Sequence, residues 1–70
     1  MERANLTPTE RDVLRMIVGG MSNNEIAYAL DVSESTLARG LKTLFDKIGV
    51  SDRASAATKA IKREIVRIDL

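Results

Sequence analysis

SNNEIAYALDVSESTLARGLK, residues 22–42, contains two helix starts separated by a turn. Ser22 is followed three residues later by Glu25, a reciprocal capping pair in which the hydroxyl and the carboxylate each accept from the other's amide. Ile26, Ala27 and Leu30 then recur at helical spacing, which predicts a helix over about 23–30. Leu30-Asp31-Val32-Ser33 reads as a turn, and Asp31 falls where a tight connection between helices often needs a positive φ that Asp tolerates. Ser33 is the next N-cap candidate. Beyond it Leu37, Leu41, Leu44 and Ile48 form one apolar stripe, with Phe45 on its flank, and predict a helix over about 34–48. Two helices joined by a short turn, the second longer and polar outside, make a helix-turn-helix unit whose second helix suits a major groove. A plain helical hairpin has the same outline, and spacing alone does not separate the two.

Working outward, Thr7-Pro8-Thr9-Glu10 joins a capping box to a proline at the first helical position, where its missing N–H costs nothing. Val13, Leu14, Ile17 and Val18 continue the pattern, so a helix is expected over about 8–19, ended by Gly19-Gly20. On the other side Gly49 stops the third helix and Val50 anchors a loop. Ser51 is the cap candidate for a last helix over about 52–67, with Ala54, Ala57, Ile61, Ile65 and Ile68 as its buried side. No stretch alternates as a half-buried strand does, and no internal repeat is evident. The expectation is an all-α, compact four-helix domain over residues 6–70, with 1–5 a tail or the stump of a linker.

Composition narrows the chemistry. A chain of 70 residues hides roughly 60% of its unfolded surface, so its core must be small. There is no Cys and no His, which removes disulfides, a thiolate nucleophile, zinc-finger ligands and the commonest general base. An enzyme is therefore not expected, nor a metal or other cofactor. No apolar run approaches the roughly 20 residues of a membrane span, and MERANLTPTE lacks the apolar core of a signal peptide. A cytoplasmic location without membrane contact is the expectation. The net charge is only +1, far from the strongly basic balance of a dedicated nucleic-acid binder.

LTPTERDVLRMI (6–17), GGMSNNEIAYALDVSESTL (19–37) and LFDKIGVSDRASA (44–56), in this order and spacing, resemble the DNA-binding domain of LuxR/GerE-type regulators. Such domains stand at the C-terminus of NarL-like response regulators and quorum-sensing receptors. The resemblance covers residues 6 to about 66. It implies a sequence-specific transcription regulator that binds double-stranded DNA, with helix 3 as the recognition helix and helix 4 as the usual dimer contact. It also implies an N-terminal receiver or ligand-binding domain if this chain is a fragment, although short stand-alone regulators exist.

At about 100° per residue, Ser35, Ala38, Arg39, Lys42, Thr43 and Asp46 gather opposite the leucine stripe of helix 3. Arg39 is the first candidate for base reading because its fork fits guanine edges, and Lys42, Ser35 and Ala38 accompany it. Ser33 and Thr36 surround the amino end of the same helix, where free amides favour a phosphate. Asn23 and Asn24 hold the same place on helix 2, and Thr43, Lys47 and Arg53 complete the phosphate candidates. Each of these residues has a plain alternative as a cap or a solvated surface side chain. On helix 4, Ala56 and Ala60 with Lys59 and Arg63 suggest a face of small residues for a homodimer.

The family often places Lys at position 38, His at 40 and basic residues at 24 and 28, where this chain has Ala38, Gly40, Asn24 and Tyr28. From Ser22 to Val50 three cations face four acids, a net charge of −1. Affinity for nucleic acid rests largely on phosphate neutralisation, so such a unit should bind weakly alone and lose its hold quickly with salt. Gly40 costs roughly 1 kcal/mol in helix stability, offset by a close approach of DNA or another helix, or simply tolerated. Tyr28 is expected to pack over the core edge, with stacking or a phosphate contact as alternatives. A rival reading follows: a helix-turn-helix kept as a protein-interaction module, docking on a partner such as RNA polymerase.

Overall fold

An oxygen starts every helix. Thr7, Ser22, Ser33 and Asp52 each accept from the amide three residues ahead, opening α1 (Pro8–Val18), α2 (Asn23–Leu30), α3 (Glu34–Ile48) and α4 (Arg53–Lys62). The computed structural model describes residues 6–63, 65 and 66; the expected tail 1–5, position 64 and residues 67–70, Ile68 among them, lie outside these. Both capping boxes close in both directions. Glu10 accepts from the Thr7 amide at 2.9 Å and donates its own amide to Thr7 Oγ1 at 3.0 Å. Ser22 and Glu25 repeat the exchange at 2.9 and 3.2 Å. Asp31 sits in the left-handed region at φ 58°, as its place in the turn predicts, and Gly49 closes α3 at φ 74°.

The three inner faces meet as their stripes require. Leu14, Ile26 and Leu44, from α1, α2 and α3, are the largest fully buried side chains, and Leu37, Leu41 and Ile48 extend that core. α2 packs on α3, while α4 lies against α1 and α3, so the helix-turn-helix unit rests on a platform of the first and last helices. Among the described residues no helix is long and apolar enough to cross a membrane.

The fourth helix departs from expectation in three ways. Asp52, not Ser51, is its cap, accepting from the Ser55 amide at 2.7 Å. The helix ends at Lys62 rather than near 67. The amides of Ile65 and Val66 both return to the Ala60 carbonyl, at 2.8 and 3.2 Å, and this reversal turns Val66 into the core, off the helical stripe. Its buried side is also rotated. Ala57 and Ile65 pack half-buried against the core as expected, but Ala56 and Ala60 have no exposed surface, whereas Ala54 is exposed and Ile61 is 40% exposed. Ala56 and Ala60 therefore cannot be dimer contacts: they are where α4 enters the core. Of the four residues expected at that face, half-buried Lys59 and exposed Arg63 reach the surface.

Candidate nucleic-acid interface

Burial of Leu37, Leu41, Leu44 and Ile48 fixes the rotation of α3 and turns Ser35, Arg39, Lys42 and Asp46 to solvent. Arg39 and Lys42, one turn apart, have no ion pair or side-chain hydrogen bond among the described residues. Ala38 is exposed beside them. Thr43 is exposed too, its hydroxyl donating to the Arg39 carbonyl at 3.3 Å. Asp46 places a carboxylate on this same outward ridge. A Cβ built at Gly40 would meet nothing within 4 Å, so no neighbouring helix accounts for the missing side chain. Gly40 instead lines a cleft of about 320 Å³ with Val13, Leu30 and Val32, on the flank of α3 that faces α1.

The amino end of α3 is built from hydroxyls. Ser33 Oγ accepts from the Thr36 amide at 3.1 Å and donates to Thr36 Oγ1 at 2.9 Å, which makes Ser33 the cap, while Ser35 Oγ lies 3.4 Å from it. Glu34 adds a carboxylate to the same first turn and accepts from Asn24 Nδ2 at 2.8 Å, a bond that joins α2 to α3 across the turn.

The remaining phosphate candidates are held by partners distant in sequence. Arg53, half-buried, donates one guanidinium arm to Asn23 Oδ1 and the other to the Met21 carbonyl, clamping the start of α4 to the start of α2. Lys47 donates to both oxygens of Glu10, at 2.9 and 3.0 Å, and ties α3 to α1. Partial burial alone would raise the Glu10 pKa, but the bonds from the Thr7 amide and the Lys47 ammonium outweigh it and hold the carboxyl below its usual range. The bonds from Ser55 lower Asp52 in the same way. These charges serve the fold first.

One surface residue is placed differently from expectation. Tyr28 does not pack over the core edge; it is 88% exposed. Ile26, Ala27 and Leu30 define the inner side of α2, and Tyr28 stands outside that arc on the helical wheel, a signal the sequence already carried. Among the described residues no group of three or more His, Cys, Asp or Glu side chains could hold a metal ion.

Residues 4–60 match the family described as bacterial regulatory proteins, luxR family. The chain is 47% identical over 57 residues to the transcriptional regulatory protein YhcZ of Bacillus subtilis, covering 81% of this chain and 27% of that one. It is 41% identical over 61 residues to the transcriptional regulatory protein MctR of Rhizobium johnstonii, covering 87% and 28%. To the nitrate/nitrite response regulator protein NarL of Escherichia coli it is 42% identical over 52 residues, covering 74% and 24%. The chain thus spans less than a third of the length of each of these relatives. No solved structure matched the chain.

Proposed function

Because the chain belongs to the luxR family of bacterial regulatory proteins, we propose that it is the DNA-binding module of a transcription regulator, with α3 in the major groove. Arg39 and Lys42 turn towards base edges, with Ser35 and Ala38 beside them, and the amino end of α3 with Thr36 meets a phosphate. The observation that carries this reading is a division among the cations. Lys47 and Arg53 are engaged inside the domain, whereas Arg39 and Lys42 stand exposed on one ridge without a side-chain partner among the described residues. Asn23, Asn24, Thr43, Lys47 and Arg53 contribute to phosphate binding with whatever capacity their internal bonds leave.

Selection from random duplexes followed by a salt titration tests the reading. The expected log–log slope is shallow, about one unit per phosphate contacted. Failure to bind any duplex at low salt sinks it. The net charge of −1 over residues 22–50 favours a second reading, a protein-interaction module, which predicts that failure.

Membership of the same family supports a reading of the wider assembly. A cytoplasmic, non-enzymatic regulator would carry this module after a receiver or ligand-binding domain and would contact RNA polymerase. A homodimer through α4 would use exposed Ala54, Thr58 and Ile61, with Lys59 and Arg63 at the margin, because Ala56 and Ala60 are internal.

A further inference from the structure

Tyr28 is the only tyrosine of the chain, and its ring stands in solvent with no side-chain partner among the described residues. A single exposed aromatic is common on protein surfaces. Its position is what gives this one meaning. Asn24 precedes it by one helical turn on the same side of α2, and Asn24 Nδ2 donates to Glu34 Oε2 at 2.8 Å. That bond sets the Asn24–Tyr28 side of α2 against the amino end of α3, where Ser33 and Ser35 lie. In a helix-turn-helix docked on DNA, the first helix crosses the sugar–phosphate strand beside the groove that receives the second.

We propose that Tyr28 is an uncharged anchor for the DNA backbone, its hydroxyl donating to a phosphate oxygen and its ring lying on the adjoining deoxyribose. The proposal rests on the DNA-binding reading above and adds a residue to it. A phenol can do both tasks, since it joins an apolar body to a polar tip. It displaces no counterion, so its share of the affinity is insensitive to salt. In a unit with more acids than cations, such a contact supplies grip that the charge balance withholds.

The test uses the full chain labelled with meta-fluorotyrosine, which gives one fluorine NMR signal because there is one tyrosine. The probe is a duplex of about 20 base pairs, two helical turns, selected by the chain itself from a random pool. On binding, the signal should shift and lose its response to replacing water by heavy water. Tyr28→Phe should weaken binding about threefold to tenfold without changing the salt slope, as loss of one hydrogen bond predicts. Tyr28→Lys should steepen that slope by about one unit. A signal that stays in solvent while fluorescence anisotropy reports a bound duplex overturns the anchor, leaves the ring to a protein partner and keeps the DNA reading intact. A duplex that never binds overturns both. The fluorine signal reads the unsubstituted sequence, so the outcome does not depend on a variant folding.

Discussion

α3 and α4 are both amphipathic helices packed on the same core, yet they bury opposite kinds of residue. α3 turns inward Leu37, Leu41, Leu44 and Ile48; α4 turns inward Ala56 and Ala60 and leaves Ile61 at the surface. The difference lies in the space each helix meets. α4 lies close on α1, where a methyl group is what fits, whereas α3 approaches α4 at fewer points and fills the space between them with long side chains. Side-chain size reports the depth of the gap at a position, and the buried face can be the one lined with the smaller residues.

Substitutions on the two inner faces should break that comparison in opposite directions. Leu44→Ala removes a fully buried side chain and should cost about 2–5 kcal/mol by urea denaturation. For a domain of this size, with about 0.05–0.15 kcal/mol of stability per residue, that threatens folding. Ala60→Leu adds volume where none is free and should cost about 1–3 kcal/mol. Ile61→Ala, three-fifths buried by area but at the rim, should change stability by less than Ala60→Leu. If Ile61→Ala proves the costlier of the two, the assigned rotation of α4 is wrong.

The cations divide in a parallel way. Arg53→Ala should lower stability by roughly 1.5–3 kcal/mol, the range for a hydrogen bond to a charged group, because it cuts the clamp on Met21 and Asn23. Arg39→Ala should leave the melting temperature unchanged and cost about 1–3 kcal/mol of discrimination at one base position. Lys42→Ala should chiefly weaken binding, more than it changes base preference, and reduce the salt slope by about one unit. A melting temperature that falls with Arg39→Ala, or stays put with Arg53→Ala, would erase the distinction between tied and open cations.

Much of this was legible in the sequence wherever the deciding contact is local. The two capping boxes, the Ser33 cap and the left-handed Asp31 each depend on residues within three or four positions, and the leucine stripe of α3 repeats within its own helix. The same wheel set Arg39 and Lys42 outward. What stayed hidden depends on partners far along the chain. Arg53 reaches Met21 across 32 positions and Lys47 reaches Glu10 across 37, and no spacing rule announces either pair. The buried face of α4 is not the one an apolar count picks: Ile61, Ile65 and Ile68 outweigh alanines in such a count, whereas the fold buries Ala56 and Ala60 fully, leaves Ile65 half-buried, and past Lys62 returns the Ile65 and Val66 amides to the Ala60 carbonyl so that Val66 is buried.

The smallest expected effect tests how much a tied cation contributes. Glu10 bonds Lys47 and caps α1, and its folded pKa lies below the unfolded value. A depressed carboxylate contributes stability that is present above the unfolded pKa and is lost as pH falls through the folded one. Both side chains keep contact with water, 18% exposed for Glu10 and 35% for Lys47, so solvent screening limits the pair to about 0–1 kcal/mol. Glu10→Gln should therefore be less stable than the parent at neutral pH by no more than that, and the urea midpoints of the two should converge as pH falls below about 4. Gln can still accept from the Thr7 amide, so the converging part belongs to charge and any remainder to the cap. Two midpoints that stay equally far apart through the whole titration would mean that the ion pair adds nothing and that Lys47 is held for its position alone.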